Sequence, residues 1–268
     1  MLVLTDSLVR QFLVAVVFGA LFGAASYRFR FLSVSGSFAA FFLAVVIYGF
    51  GGMQWTIPLL IFFITSSLLS KIEKEKKREV ETTFEKTSTR DAGQVLANGG
   101  MAGILVIASF LYPHFKFWYI AYLGAIAAVT ADTWGTEIGL LSNALPRSLL
   151  TFRRVAAGTS GAISFRGLAG EILGASLIAT AGAVSARLTP NTRILATIIG
   201  AGIFGSLADS FLGATVQAGY RCGMCGKQTE KKIHCDYKTS LVRGYSWMNN
   251  DLVNLICALV GIVAALIL

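Results

Sequence analysis

Two acidic residues that could hold a divalent cation lie inside long apolar stretches of the sequence. Asp132 occurs in YIAYLGAIAAVTADTWGTEIG and Asp209 in GIFGSLADSFLGATVQ, each within a run of the form Ala-Asp-hydroxyl-aromatic. A charged side chain in a membrane span costs about 2.5 to 3.5 kcal/mol on the insertion scale, so such acids usually face protein or water and mark function. Mg²⁺ takes one or two carboxylates and leaves its other positions to water and phosphate. If their two helices pack together, Asp132 and Asp209 are the predicted magnesium ligands and catalytic residues.

Two further acids, Glu137 and Asp251, are also candidate catalytic residues. Glu137 follows Asp132 by five residues, which at about 100° per residue turns it roughly 140° away on a helix, so these two carboxylates need separate partners. Asp251 opens the last apolar stretch. Because the two histidines lie in loops away from these acids, general-base work would fall to Asp or Glu.

Polar residues recur at helical spacing beside the acids. Arg90, Gln94 and Asn98 follow one another every four residues. Asn250 and Asn254 have the same spacing at the start of the last apolar stretch. All five are predicted to contact a substrate. The alternative is that such residues hydrogen-bond between helices, which explains hydroxyl residues better than it explains repeated acids.

The segment TFRRVAAGTSGAISFRGLAG, between two apolar stretches, has the composition of an anion-binding loop. Small residues let backbone N–H groups approach an anion, and the start of a helix concentrates unpaired donors. The pattern is not the GxxxxGK[ST] phosphate loop, and Gly-Ser turns are also common in membrane loops. The predicted phosphate-binding residues of this segment are Arg153, Arg154, Gly158, Thr159, Ser160, Gly161, Ser164 and Arg166.

Four soft metal ligands lie within fourteen residues of YRCGMCGKQTEKKIHCDYK. They are Cys222 and Cys225, in a C-x2-C pattern, and the adjacent His234 and Cys235. This set could close a structural Zn²⁺ site. The adjacent ligands make tetrahedral closure awkward, so free reduced thiols are an alternative, and a disulfide is disfavoured if the loop is cytoplasmic.

Composition and hydropathy place the chain in a membrane. Its 268 residues are 55% hydrophobic and 14% charged, with a mean hydropathy of +0.68, whereas a soluble domain has about 25% charged residues. Apolar stretches match the length of a bilayer-spanning helix. We predict an all-α, polytopic transmembrane helical bundle forming a single domain over 1–268, with about eight spans (seven to nine). The spans lie near residues 8–26, 31–50, 53–70, 94–112, 118–141, 167–186, 193–218 and 249–268.

The basic residues predict the orientation of these spans. Of the 23 Lys and Arg residues, 19 fall in the segments 27–30, 71–93, 142–166 and 219–248. The positive-inside rule places these segments in the cytoplasm, so both termini lie on the non-cytoplasmic side and the acids on the cytoplasmic side. The net charge of +9 suits anionic lipid headgroups or a polyanionic substrate.

The sequence contains no recognisable nucleic-acid module, and no nucleic-acid partner is expected. The charge-alternating segment KIEKEKKREVETTFEK is predicted to form a solvated helix.

Five motifs in this order resemble one known family: QVLANGG, ADTWGTEIG, GTSGAISFRGLAGE, GSLADSFLGATVQ and NNDLVN. They span about residues 94 to 254 and are similar to the integral-membrane family of transmembrane protein 19, also called domain of unknown function 92. Its plant member is phytyl-phosphate kinase, which converts an isoprenoid monophosphate to the diphosphate with a nucleoside triphosphate. The resemblance implies that activity, and CTP is the favoured donor because related polyprenol kinases use it.

The chemistry expected from the residues agrees with phosphoryl transfer, which needs mainly positioning and charge neutralisation. Mg²⁺ on Asp132 and Asp209 would supply the neutralisation, with Arg153 and Arg154 on the phosphates. The isoprenoid tail would lie in the bilayer between helices, with its phosphate beside Arg90 and Asn98. A CTP-dependent cytidylyltransferase and an isoprenoid-alcohol kinase are the enzymatic alternatives. The alternative of another class is a transporter of a phosphorylated lipid or anion, although the acids crowd one side of the membrane.

Overall fold

The described residues of this computed structural model, 6–73, 84–187 and 191–268, contain seven helices. Five of the helices begin at a Ser, Asp or Asn whose side chain accepts a hydrogen bond from a backbone N–H of the first turn, as N-caps do. The helices are α1 (Asp6–Arg28), α2 (Val34–Leu69), α3 (Ala92–Leu111), α4 (Trp118–Leu140), α5 (Phe165–Ser185), α6 (Thr192–Thr215) and α7 (Asn250–Ile267).

All of these helices except α4 are long and apolar enough to cross a membrane. Helix α4 is instead the centre of the bundle, since every residue from 121 to 131 is buried. Small residues allow the neighbouring helices to approach it closely. At Gly124, an added Cβ would lie 2.5 Å from the carbonyl oxygen of Gly261 in α7. The chain is therefore a multi-pass helical membrane protein, as its composition predicted.

Helix α2 reverses direction at Gly52, which has φ 64° and ψ −162°. A straight helix of its 36 residues would be about 54 Å long. Instead, its two ends lie on the same side of the bundle: the Ser33 amide donates to the Arg90 carbonyl at 3.0 Å, and the Arg90 guanidinium lies 5.5 Å from the ring of Phe62. Glycine is needed here because a side chain is disfavoured at positive φ. The predicted spans 31–50 and 53–70 meet at this reversal.

Short antiparallel strands, which hydropathy did not predict, structure the two long connections at one end of the bundle. Strands β1 (Arg147–Ser148) and β2 (Ala162–Ile163) pair in the connection between α4 and α5. The connection between α6 and α7 holds β3 (Gly219–Arg221), β4 (Gln228–Thr229), β5 (Ile233–His234), β6 (Tyr237–Lys238) and β7 (Ser240–Arg243). Its three-stranded sheet has the order β4-β3-β7, and β5 pairs with β6.

The predicted solvated helix over 71–86 falls mostly on residues 74–83, which lie outside the described residues. Its described ends, 71–73 and 84–86, form turns and bends. The second of these ends packs between the start of α3 and the start of α7, because the Lys86 ammonium lies 2.8 Å from a carboxylate oxygen of both Asp91 and Asp251. That end is therefore attached to the bundle and is not a free solvated helix.

Candidate functional site

A polar cavity of about 260 Å³ opens at the end of the bundle where both β-containing connections lie. Helices α3, α5 and α7 begin at this cavity, and α4 and α6 run toward it. Most of the predicted site residues line it together. These are Arg90, Gln94, Asn98, Asp132, Glu137, Gly158, Thr159, Ser160, Gly161, Ser164, Asp209, Asn250 and Asn254.

The acidic wall of the polar cavity is built by α4, α5 and α6. The carboxyl groups of Asp132 and Asp209 lie within hydrogen-bonding distance of each other, as their matching sequence contexts predicted. Glu171 of α5 lies beside them and is 6% exposed, and its Oε2 has no hydrogen-bond partner among the described residues. The absence of a side chain at Gly135 makes room for it, since a Cβ there would lie 2.6 Å from Glu171 Cγ.

Three neighbouring carboxylates in a partly buried site repel one another unless a cation or protons compensate them. Buried charges in proteins are paired or coordinate metals. Carboxylate oxygens are the donors that Mg²⁺ prefers, and the orphaned Glu171 Oε2 adds one more to the Asp132–Asp209 pair. The donor set therefore fits a divalent oxygen-binding cation.

Other parts of the lining of the polar cavity favour anions. The first turns of α3, α5 and α7 border it through Gln94, Gly167 and Asn250. Each N-terminus carries the positive end of a helix dipole, although the amides of Gln94, Gly167 and Asn250 already donate to the Asp91, Ser164 and Glu85 side chains. Lys86 and Arg90 add two positive side chains to the same lining. A polyanion in the cavity would meet these positive groups, and a cation held by the acids would neutralise more of its charge.

The Gly/Ser turn, Gly158 to Gly161, is fixed against α6. Gly161 has φ 75°, and an added Cβ would lie 2.4 Å from the Ala214 amide nitrogen and from the Ser210 carbonyl oxygen. Only glycine satisfies both the left-handed backbone and this close approach. The turn therefore holds its backbone and the Ser160 side chain at the rim of the polar cavity.

Glu137 and Asp132 have different partners, as their spacing on the helix predicted. Ser70 Oγ donates to Glu137 Oε1 at 2.5 Å, and the Arg90 guanidinium lies near the same carboxylate. Arg90 also stacks over the rings of Phe62 and Phe63, 5.5 and 5.8 Å from their centroids. Burial lowers the pKa of Arg90 to about 10, so its guanidinium is still charged at neutral pH. The negative charge of Glu137 thus favours the charged form of Arg90.

Four of the predicted catalytic and substrate-binding residues do not line the polar cavity. Asp251 is instead an ion-pair partner of Lys86. Arg153 and Arg154 are exposed on the outer part of the hairpin loop, where the Arg153 carbonyl accepts from Ser148. Arg166 is exposed and donates to the Leu141 carbonyl at 3.3 Å. Because these three arginines lie outside the cavity lining, Lys86 and Arg90 are the basic side chains that a bound phosphate would meet among the described lining residues.

Glu230 lines the polar cavity and was missed by the sequence analysis. Its Oε1 accepts from Ser160 Oγ at 2.8 Å and from Gln217 Nε2 at 2.9 Å, and its Oε2 accepts from the Glu85 amide at 3.2 Å. Burial raises the pKa of Glu230, and the hydrogen bond from Ser160 acts in the opposite direction. In the sequence, Glu230 sits among lysines in a charged loop, so no local pattern distinguishes it from a solvated acid.

An apolar cavity of about 50 Å³ lies between α1, α2 and α3 and adjoins the polar one. Aromatic and aliphatic side chains, such as Phe18, Phe22 and Leu43, form its walls. Three residues line both cavities: Arg90, Gln94 and Asn98. The site therefore places an apolar surface directly beside a polar cavity that could receive an anionic head.

Comparison with known proteins gives the family. The family described as "Integral membrane protein DUF92" matches residues 17–262. Protein PGR of Arabidopsis thaliana is 33% identical over 267 residues, which cover 91% of each chain. An uncharacterized membrane protein of Methanocaldococcus jannaschii is 33% identical over 211 residues, 78% of this chain and 84% of its own. Protein VTE6, chloroplastic, of Arabidopsis thaliana is 23% identical over 242 residues, 88% of this chain and 65% of that one.

No solved structure matches the chain. The family match, however, covers far more than half of it, and two relatives are 33% identical over most of their length. The sequence motifs had indicated the same family. The chain therefore belongs to the integral membrane protein DUF92 family.

Proposed function

We propose that this protein is a Mg²⁺-dependent membrane kinase that transfers a phosphoryl group from a nucleoside triphosphate, CTP being favoured, to an isoprenoid monophosphate. Phytyl or geranylgeranyl phosphate would be such an acceptor, and the product would be the diphosphate. The observation that carries the proposal is that Arg90, Gln94 and Asn98 line both the acid-containing polar cavity and the apolar cavity. A lipid phosphate bound there would have its head at the acids and its chain among aromatic side chains.

Family membership supports the reaction type. The motifs resemble a family whose plant member is phytyl-phosphate kinase, and Protein VTE6, chloroplastic, is a relative of this chain at 23% identity. The presence of two anion-binding regions adds a physical reason. The Gly/Ser turn and the Arg90 region come from different segments of the lining, and a donor and an acceptor phosphate would need two such regions.

Different residues of the cavity would bind the metal, the donor phosphates and the acceptor phosphate. Mg²⁺, held by Asp132 and Asp209 with Glu171 beside them, would neutralise phosphate charge. The Gly/Ser turn and Lys86 would hold the donor phosphates. Arg90 would hold the acceptor phosphate with Gln94 and Asn98. These contacts would position the two phosphates in line, and positioning supplies much of the catalysis in phosphoryl transfer.

In the transfer, an oxygen of the lipid phosphate forms a bond to the γ-phosphorus of the donor. The bond from that phosphorus to the β–γ bridging oxygen breaks, and the nucleoside diphosphate leaves with its electron pair. The attacking oxygen is already anionic at neutral pH, so no strong general base is required. This agrees with the absence of histidine from the described cavity lining.

The proposal is tested by incubating the purified protein with Mg²⁺, each nucleoside triphosphate and either phytyl or geranylgeranyl monophosphate, and resolving the lipid products by mass. A lipid diphosphate and a nucleoside diphosphate are expected. A CMP-linked lipid with pyrophosphate would identify a cytidylyltransferase instead, and phosphorylation of the free alcohol would identify an alcohol kinase. If no nucleotide is consumed but the lipid phosphate crosses liposome membranes, the protein is a transporter and the kinase proposal is wrong.

A further inference from the structure

We infer that Cys222, Cys225, His234 and Cys235 bind one Zn²⁺ in a tetrahedral site, and that this site holds Glu230 in the wall of the polar cavity. The zinc site stands independently of the proposed kinase activity, whereas the catalytic relevance of Glu230 rests on it. The four residues lie in the connection between α6 and α7, which we call the cysteine loop (residues 222–235).

The four ligand atoms lie close enough together to reach one zinc ion after small side-chain adjustments. They all lie within 4.8 Å of one another. Zinc bonds of about 2.3 Å to sulfur and about 2.0 Å to nitrogen imply sulfur–nitrogen separations of about 3.5 Å and sulfur–sulfur separations of about 3.7 Å. The His234 Nδ1 atom is 3.6 Å from Cys225 Sγ and 3.2 Å from Cys235 Sγ. All three cysteines of the cluster are free.

The first two ligands sit in a tight turn built to present them. The Cys222 amide donates to the Lys227 carbonyl and the Gly226 amide to the Cys222 carbonyl, both at 3.0 Å. Gly226 has φ 70°, and an added Cβ there would meet no atom within 4 Å. The amides of Met224 and Cys225 point at Cys222 Sγ and hydrogen-bond to it. Amide donors to sulfur stabilise the thiolate, which is the form that binds metal.

His234 and Cys235 are adjacent in the sequence, which makes it difficult for both to bind one tetrahedral metal ion. The backbone conformation at this position allows both to do so. Cys235 and Asp236 are the central residues of the hairpin that joins β5 to β6, with φ of 53° and 63°. Two consecutive non-glycine residues in the left-handed region are rare and unfavourable. This two-residue turn places Cys235 Sγ next to the His234 ring, so that neighbouring residues supply two ligands to the same centre. Three thiolates and one imidazole suit Zn²⁺.

The metal site would fix the position of Glu230. Among the described residues, Glu230 is the only acid of the cysteine loop that lines the polar cavity. Glu230 lies between the two ligand pairs in the chain. Zinc bound to both pairs therefore closes a loop that contains Glu230 and restricts its movement. Its carboxylate contacts Ser160 of the Gly/Ser turn, Gln217 after α6 and the Glu85 amide. The loop has little apolar core of its own, and small domains of this kind commonly depend on a metal for their fold.

The zinc site is tested on full-length protein purified in detergent, by elemental analysis for metal content. One zinc per chain is expected. Cys225→Ser and Cys235→Ser should each lose most of it, whereas Cys257→Ala, which changes the buried cysteine of α7, should keep it. Wild-type zinc content far below one per chain, or unchanged content in Cys225→Ser and Cys235→Ser, would overturn the site.

A measurement on the wild type covers the case in which the variants fail to fold. Protein grown with cobalt in place of zinc should show the thiolate charge-transfer and visible bands of tetrahedral Co²⁺. In the zinc-containing protein, Cys225 and Cys235, although exposed, should react slowly with a thiol reagent until a zinc chelator is added. Equal reactivity before and after chelation would contradict bound metal.

The positioning of Glu230 is tested by hydrogen exchange, with and without the chelator, in buffer that contains Mg²⁺. Removal of zinc should increase exchange in peptides containing Glu85 and Ser160, because both bond to Glu230. Peptides of α1 serve as the control and should not change. Faster exchange limited to the cysteine loop would show a zinc site that does not position Glu230. Activity is not needed for either readout, so failure of the kinase proposal would not affect them.

Discussion

The carboxyl groups of Asp132 in α4 and Asp209 in α6 lie within hydrogen-bonding distance, although 77 positions separate them in the chain. Their helices pack closely because the facing residues are small: a Cβ at Gly205 would lie 2.4 Å from the Ala128 side chain. Glu171 of α5 lies beside them and completes a group of three acids within the bundle.

Removing either carboxylate of the pair should abolish most of the activity. Asp132→Asn and Asp209→Asn each leave one fewer anionic ligand for the metal, and loss of several kcal/mol of charge stabilisation corresponds to a rate decrease on the order of 100-fold or more. The double variant should be little worse than either single one, because the two residues act as a unit. Diphosphate formation measured across a Mg²⁺ titration checks this.

The matched control for these variants is Asp6→Asn, which removes a carboxylate from the first turn of α1, away from the site. It should retain wild-type activity. Full activity in Asp132→Asn and Asp209→Asn would show that the pair is structural.

Arg90 should matter for the lipid phosphate and the exposed arginines should not. Arg90→Gln removes a charged hydrogen-bond donor, a change of about 1.5 to 3 kcal/mol, so we expect KM for the lipid phosphate to rise roughly 10- to 100-fold while KM for the nucleotide changes little. Arg153→Gln and Arg154→Gln are the controls, since both side chains lie outside the cavity lining. Steady-state kinetics with each substrate varied in turn distinguish these results. A larger rise in KM in Arg153→Gln or Arg154→Gln than in Arg90→Gln would support the sequence-based prediction that Arg153 and Arg154 bind the phosphates.

The apolar cavity should set the response to lipid chain length. Phe18→Ala and Phe22→Ala remove walls of that cavity, and each should weaken binding of a long-chain acceptor by about 1 to 3 kcal/mol. The same changes should leave a short acceptor, such as dimethylallyl phosphate, nearly unaffected. Phe42→Ala is the control, because Phe42 is 63% exposed in α2 and does not line the cavity. If long and short acceptors lost equal binding affinity, the lipid chain would bind outside this apolar cavity.

The Gly/Ser turn should not tolerate a side chain at Gly161. Gly161→Ala combines φ 75° with a Cβ 2.4 Å from the backbone of α6. The left-handed conformation alone costs about 1 to 2 kcal/mol. We expect a lower Tm in detergent and a higher KM for the nucleotide. Gly223→Ala is the comparison, since a Cβ there meets nothing within 4 Å and the φ is not positive. Equal Tm values for the two variants would contradict the fixed turn.

The cavity should face the cytoplasm. A cysteine introduced at Thr151, exposed in the hairpin loop at the cavity end, should react with a membrane-impermeant maleimide only after cells are permeabilised. Lys116→Cys, exposed between α3 and α4 at the opposite end, should react in intact cells. Mass mapping of the labelled peptides separates these sites from the native cysteines. The reverse pattern would invert the orientation predicted from Lys and Arg.

Local sequence patterns predicted much of the site, because its central residues lie on helices whose periodicity is visible in the chain. Asp132, Asp209, Asn98 and Asn254 were predicted to share a cavity and do line one cavity. Of the four predicted residues outside the cavity lining, Arg153 and Arg154 lie in a loop, whereas Arg166 and Asp251 lie in the first turns of α5 and α7. Arg153 and Arg154 were expected beside the phosphates, but the direction of a loop side chain depends on long-range pairing, here of β1 with β2, that hydropathy does not report.

The amino-acid sequence by itself determined that this is a helical membrane protein with acids crowded at one end, because apolar length and helical spacing are local properties. The tertiary structure alone decided which charges meet. It folded α2 back at Gly52, placed Lys86 between Asp91 and Asp251, and placed Glu230 against Ser160. Each of these contacts joins distant segments, and such contacts depend on how the helices pack rather than on any pattern within one of them.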